Sequence, residues 1–248
     1  MKQTFLALAF AAAALMLGAC TSVATFDYTA ASGTMMRFRE AGVAKKSVAV
    51  LPFMDQRGSG AAQAARPAGD HGSLYLGLIP LLPYGWVEKG EPENSVDFVS
   101  LGRFGFNPQN DLAAAAIASL KTSGLFSNVT KANNIAQAAS ADYVWRGTVT
   151  STFYRGRMFS YCISYFFSPV LWVVGFPSGS STNELGVKFE LVDRVTGEAV
   201  WQYEWLDSDY LNHWIYARIG KDVSLYPELM KRAMNSALGD LAQAGLDL

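Results

Sequence analysis

The stretch Leu185-Gly186-Val187-Lys188-Phe189-Glu190-Leu191-Val192-Asp193-Arg194-Val195-Thr196-Gly197-Glu198-Ala199-Val200-Trp201-Gln202-Tyr203-Glu204-Trp205 decides the fold. Leu185, Val187, Phe189 and Leu191 alternate with Gly186, Lys188, Glu190 and Val192, so one face of an extended strand is apolar throughout. Asp193-Arg194-Val195-Thr196-Gly197 then makes a turn in which Gly197 supplies a positive φ, and Ala199, Trp201, Tyr203 and Trp205 alternate back. A β-hairpin with one apolar face needs a partner layer. An amphipathic helix follows at residues 224–244, where Leu225, Leu229, Ala233, Ala237 and Leu241 share a face and Gly245 ends it.

Upstream the same logic repeats. Asn107 caps a helix with Pro108 in its first turn; Leu112, Ala116, Ile117 and Leu120 recur at helical spacing, and Gly124 stops it. Residues 126–131 form a short strand. Residues 142–153 form a longer one, with Tyr143, Trp145 and Gly147 on one face and Val144, Arg146 and Thr148 on the other. Ser47-Val48-Ala49-Val50-Leu51-Pro52-Phe53 is a continuous apolar run, the pattern of a strand buried on both faces, and Pro52 marks the end of its ladder. The expected architecture is an α/β (α+β) sandwich, a mixed sheet of about five strands with two helices on one face.

Two stretches interrupt this pattern. Within residues 70–106, the run Leu74-Tyr75-Leu76-Gly77-Leu78-Ile79-Pro80-Leu81-Leu82-Pro83-Tyr84-Gly85-Trp86 cannot be a regular helix through Pro80 and Pro83, and reads as an apolar loop or irregular hairpin. Within residues 156–182, the segment from Met158 to Phe176 is dense in aromatic residues and free of charge. Pro169 and the interspersed serines count against a spanning helix, while Tyr and Trp suit an aromatic-rich hairpin or helix lying in an interface. Both insertions must be covered by their own domain, a neighbouring protein or a bilayer interface, because large apolar patches are costly in water. Leu78, Ile79, Trp86, Phe166, Phe167 and Trp172 are the expected contact residues.

At the amino end, Lys2 precedes an apolar run from Phe5 to Leu17, and Gly18 and Ala19 are small, the layout of a secretory signal. Leu17-Gly18-Ala19-Cys20 resembles the box of bacterial lipoprotein signals. That resemblance implies cleavage after Ala19, a diacylglycerol and a further palmitate-type acyl chain on Cys20, and, with Thr21 rather than Asp next, an outer-membrane address facing the periplasm. Several acyl chains hold firmly, since each buried methylene adds about 0.8 kcal/mol. The expected organisation is a signal at 1–19, a Ser/Thr/Ala-rich tether of little structure at 20–46, and one periplasmic domain at 47–248.

The 248 residues are 50% hydrophobic and 17% charged, with net charge −1, and show no basic footprint for nucleic acid. Cys20 and Cys162 are the only cysteines; with Cys20 acylated, Cys162 has no internal disulfide partner. His71 and His213 stand far apart without ligand spacing, so neither a metal nor another cofactor is expected. Asp55-Gln56-Arg57-Gly58-Ser59-Gly60 follows the first strand but lacks the remaining elements of a phosphate loop. Asp55 and Arg57 nevertheless lie where α/β folds place ligands, which leaves a small-molecule site open. No complete catalytic motif is present, and a non-enzymatic role is expected.

Val48-Ala49-Val50-Leu51-Pro52-Phe53, Ser123-Gly124-Leu125-Phe126, Ala141-Asp142-Tyr143-Val144 and Gly147-Thr148-Val149 together resemble core signatures of a domain shared by curli-secretion channel lipoproteins and the amino-terminal domain of the Tol-associated propeller protein. The resemblance implies a periplasmic assembly domain whose members often form rings. The insertions lack the long alternation of barrel strand pairs, which departs from that family's pores. Two readings stand: a self-associating or docking component of an envelope export or assembly system, or a monomeric tethered module that regulates a cell-wall enzyme.

Overall fold

The computed structural model describes residues 24–29, 44–58, 70–71, 74–76, 79–81, 86–92, 104–159, 161, 168–217, 223–246 and 248. The centre of the fold is a three-strand meander. β10 (Tyr143–Ser151) pairs antiparallel with β12 (Gly179–Asp193), which pairs along its whole length with β13 (Ala199–His213). The turn between β12 and β13 closes as its sequence dictates. Asp193 Oδ1 accepts from the Val195 and Thr196 amides, and Gly197 sits at φ 71°.

β12 is longer than the alternation of residues 185–191 indicates, and the extra length reorganises the sheet. β10 ends at Ser151 and, after Thr152 and Phe153, resumes as β11 (Tyr154–Met158), which pairs with the first half of β12. The Glu184 amide donates to Phe153 O across this bend. On the near side of the bend, β2 (Ser47–Val50) lies parallel between β9 (Asn128–Lys131) and β10, and β3 (Met54–Asp55) continues beside β10 past Pro52. The near half is therefore a five-strand mixed sheet, β9-β2-β10-β12-β13, as expected. On the far side, β7 (Trp86–Gly90) pairs with β11, and β4 (Asp70–His71) with β7. This far half adds strands that the five-strand expectation did not contain.

Helices α1 (Pro108–Ser123) and α3 (Tyr226–Gln243) cover one face. Their buried residues, among them Leu112, Ala116, Leu120, Leu229, Ala233, Ala237 and Leu241, join Val48, Val50, Trp145, Val149, Leu185, Val187, Phe189 and Leu191 in one core. Asn107 caps α1 by accepting from the Asn110 amide, while its own amide donates to Asp111 Oδ2 at 2.7 Å, a reciprocal cap; Gly124 ends the helix at φ 73°. Trp145 meets Phe189 and Trp201, each at 5.5 Å between ring centres. Across the sheet from the helices, a smaller cluster of Ala49, Ala132, Ala138, Ala141, Val144 and Val192 closes under residues 132–141.

The described part of the stretch read as a tether of little structure is docked. β1 (Ala24–Thr25) pairs parallel with β8 (Phe104–Gly105), Phe26 stacks on Phe106 at 5.1 Å, and the Tyr28 hydroxyl lies 2.6 Å from Ser119 Oγ on α1. Burial raises the Tyr28 pKa above its ordinary value. Phe106 in turn stacks on Tyr226, whose hydroxyl reaches the carbonyls of Thr152 and Phe153 at the bend. The amino-terminal segment thus enters beside the start of α1, level with the point where the far half begins.

Candidate interaction surface

Both insertions emerge from the far half, and their backbones meet there. β7, from the first, pairs with β11, which leads into the second. Within the first, β5 (Leu74–Leu76) and β6 (Ile79–Leu81) form a hairpin with Leu76 opposite Ile79, so the irregular-hairpin reading of this apolar run holds.

The second insertion closes the end of the β11-β12-β13 ribbon. Phe159 N donates to Ser178 O at 2.9 Å and Ser178 N to His213 O at 2.7 Å, which ties all three strand ends together. Gly179 is required at this junction, because a β-carbon there would collide with Arg157 O. Above it, Ser168–Val173 forms the short helix α2, with Pro169 in its first turn, where a missing amide hydrogen costs nothing. Among the described residues, no helix is long and apolar enough to cross a membrane.

The cap is braced from within. Trp172 Nε1 donates to Phe159 O at 3.0 Å, and Tyr161 Oη donates to Pro177 O at 2.6 Å. Tyr161 holds φ at 55°, a left-handed conformation that costs a non-glycine residue on the order of 1–2 kcal/mol. Its ring is held edge-on by Phe159 and Phe176 at 6.0 and 5.5 Å, and burial raises its pKa. From the turn after β13, the Tyr216 hydroxyl lies 2.6 Å from the carbonyl oxygens of both Trp172 and Val173, so it satisfies the open end of α2.

With polar groups turned inward in this way, the outer surface is apolar. Val170 is 58% exposed, Val173 64%, Val174 65%, Phe176 49% and Tyr216 61%. No Asp, Glu, Lys or Arg occurs between Arg157 and Glu184, or between Asp209 and Arg218. Arg155 and Arg157, exposed on β11, are the nearest cations before this stretch.

Of the residues expected to make contacts, Trp172 is in the cap, half-buried with its indole nitrogen engaged internally. Ile79 lies in β6 and Trp86 in β7. Leu78, Phe166 and Phe167 lie outside the described residues, as do Cys162 and Leu17, Gly18, Ala19 and Cys20. The exposed valines were not singled out by sequence reasoning. Their spacing, two adjacent and one four residues earlier, is the only signal that would have marked them.

The other candidate positions resolve into structural roles. Arg57, its side chain 6% exposed, grips Asp55 with two hydrogen bonds of 2.9 and 2.7 Å, donates to Thr152 Oγ1 and lies 3.4 Å from Glu91. It clasps β3, the bend and the chain leaving β7. The Arg57 guanidinium holds the Asp55 carboxyl below the usual carboxylate range. His213 is buried with Nε2 2.7 Å from Ser181 Oγ, and Asn183 Oδ1 accepts from Leu225 N at the start of α3. No group of three potential metal ligands occurs among the described residues.

No family model matches the chain, and no curated protein matches it. Solved structures do. A DUF330-family protein from Xanthomonas campestris aligns over 90% of this chain and 96% of its own, with a TM-score of 0.48 and 7% identity. A lipoprotein from Neisseria meningitidis aligns over 80% of this chain and 99% of its own, at TM-score 0.34 and 14% identity. The PelC dodecamer from Paraburkholderia phytofirmans aligns over 83% and 94%, at 0.34 and 14%. The chain is similar to each of them over most of its length.

Proposed function

We propose that this chain is a lipid-anchored outer-membrane protein facing the periplasm, and that it works without catalysis as a self-associating or docking component of a cell-envelope export or assembly system. The observation that carries this reading is the cap. Five large apolar side chains are held outward on a scaffold braced by the inward hydrogen bonds of Trp172, Tyr161 and Tyr216, the construction of a contact surface. The Leu17-Gly18-Ala19-Cys20 box supports the anchor. At the carboxyl end of β3, where a ligand would be sought, Arg57 is occupied by Asp55, Thr152 and Glu91.

A monomeric regulator on a long tether fits less well. With Ala24 already paired to the domain, only three residues, Thr21, Ser22 and Val23, separate Cys20 from the body, at most about 14 Å of chain. The test is the native mass and envelope cross-linking pattern of the lipidated, detergent-extracted protein beside a Cys20→Ser form. A defined oligomer, or one envelope protein cross-linked reproducibly, is the expected result. A monomer without a cross-linked partner would overturn the proposal.

A further inference from the structure

We infer that the cap is a foot that rests in the bilayer interface, so that the domain is held to the membrane at two points, the Cys20 lipid and the apolar end of the second insertion. This rests on the lipoprotein reading of Cys20 and adds to it the occupant of the cap. Three observations lead there.

The first is reach. Ala24 enters beside the start of α1, and the stacked rings of Phe26, Phe106 and Tyr226 connect that level to the bend at Thr152 and Phe153. From the bend, β11 carries the cap outward over five residues, about 16 Å. The leash from Ala24 back to Cys20 is at most about 14 Å. The lipid therefore holds the level of Ala24 within about 14 Å of the membrane, which lets the cap reach the same surface when β11 points towards it.

The second is chemistry. The exposed side chains are Val170, Val173, Val174 and Phe176, while Tyr216, Tyr161 and Trp172 keep a polar atom bonded inward beside an apolar ring. Aliphatic outer residues with amphipathic aromatics behind them suit the boundary between acyl chains and headgroups. The third is charge. The cap carries no ionised side chain over the whole interval from Met158 to Asn183, and Arg155 and Arg157, exposed on β11 just before that interval, are placed to meet anionic headgroups. A shallow foot also agrees with α2, whose six residues fall far short of a span.

The experiment places a polarity-sensitive fluorophore on the lipidated full chain, reconstituted in vesicles of phosphatidylethanolamine and phosphatidylglycerol at about 3:1. One variant, Val174→Cys in a Cys162→Ser background, labels the cap. Another, Val195→Cys, labels the β12–β13 turn at the opposite end, where the side chain is 79% exposed. The expected result is a blue-shifted label at position 174, quenched several-fold more by spin-labelled acyl chains than by a water-borne quencher, and a water-like label at 195. A water-like label at 174 would overturn the inference. So would a blue-shifted label that lipid quenchers do not reach, which would assign the cap to a protein neighbour. The mass of the amino-terminal peptide is measured in parallel. An unacylated Cys20 defeats the anchor reading by itself, whereas an acylated Cys20 with an aqueous position 174 defeats only the foot.

Discussion

Gly147 and Arg57 show how single residues fix this structure. Gly147 faces the core of β10, and a β-carbon there would overlap the buried ring of Phe53. Gly147→Ala must displace that ring from its edge contact with Phe189, and we expect a loss of about 1–3 kcal/mol in urea unfolding. Gly90→Ala, whose β-carbon would meet nothing within 4 Å, should leave the midpoint nearly unchanged. Arg57 governs the acid limb of stability. Its hydrogen bonds lower the pKa of Asp55 in the folded state, so the contribution of Asp55 is complete above its ordinary pKa of about 4 and is lost as pH falls towards the depressed value. Stability measured from pH 6 down to pH 2 should therefore fall less steeply in Asp55→Asn than in the parent chain. Equal slopes would show that the clasp contributes nothing.

At the scale of elements, the docked segment of Ala24, Thr25 and Phe26 and the far half of β12 are the informative cases. Phe26→Ala removes the stack on Phe106 but no core strand, so the global unfolding midpoint should move by less than about 2 kcal/mol while limited proteolysis begins to cut near residues 24–29. Protection equal to the parent's would mean that β1 pairing suffices alone. The sequence announced elements whose causes are local: the Asn107 and Gly124 ends of α1, the Gly197 turn, the apolar faces of α3 and β12. It did not announce β12 before Leu185. Ser181 and Asn183 are polar yet buried there, because their partners, His213 and the Leu225 amide, lie 32 and 42 residues away. Phe26 and Tyr28 were hidden similarly, as two aromatics in a stretch of small polar residues whose receptor is α1. In the cap, Trp172 was legible as a member, but the outward residues are valines. Whether an aliphatic side chain is covered depends on what lies above it, which no local pattern states.

For the whole molecule, the bend divides two regimes of stability. On the near side β12 is paired on both edges and packed under α1 and α3, whereas α2 is a single short helix outside the core. Amide exchange should accordingly be slowest at Val187, Phe189 and Leu191 and orders of magnitude faster at Val173 and Val174. Comparable rates would show that the cap belongs to the same cooperative unit. The placement of β2 has a further consequence, for the order of assembly. β2 pairs with residues far along the chain, Ser47 with Asn128 and Val48 with Tyr143, while β12 and β13 follow one another directly across a short turn. Closing the long loops is entropically slower than zipping the neighbours. A chain delivered amino end first thus cannot complete its core until its last third has arrived, and β2, which emerges early, is among the last strands to be seated.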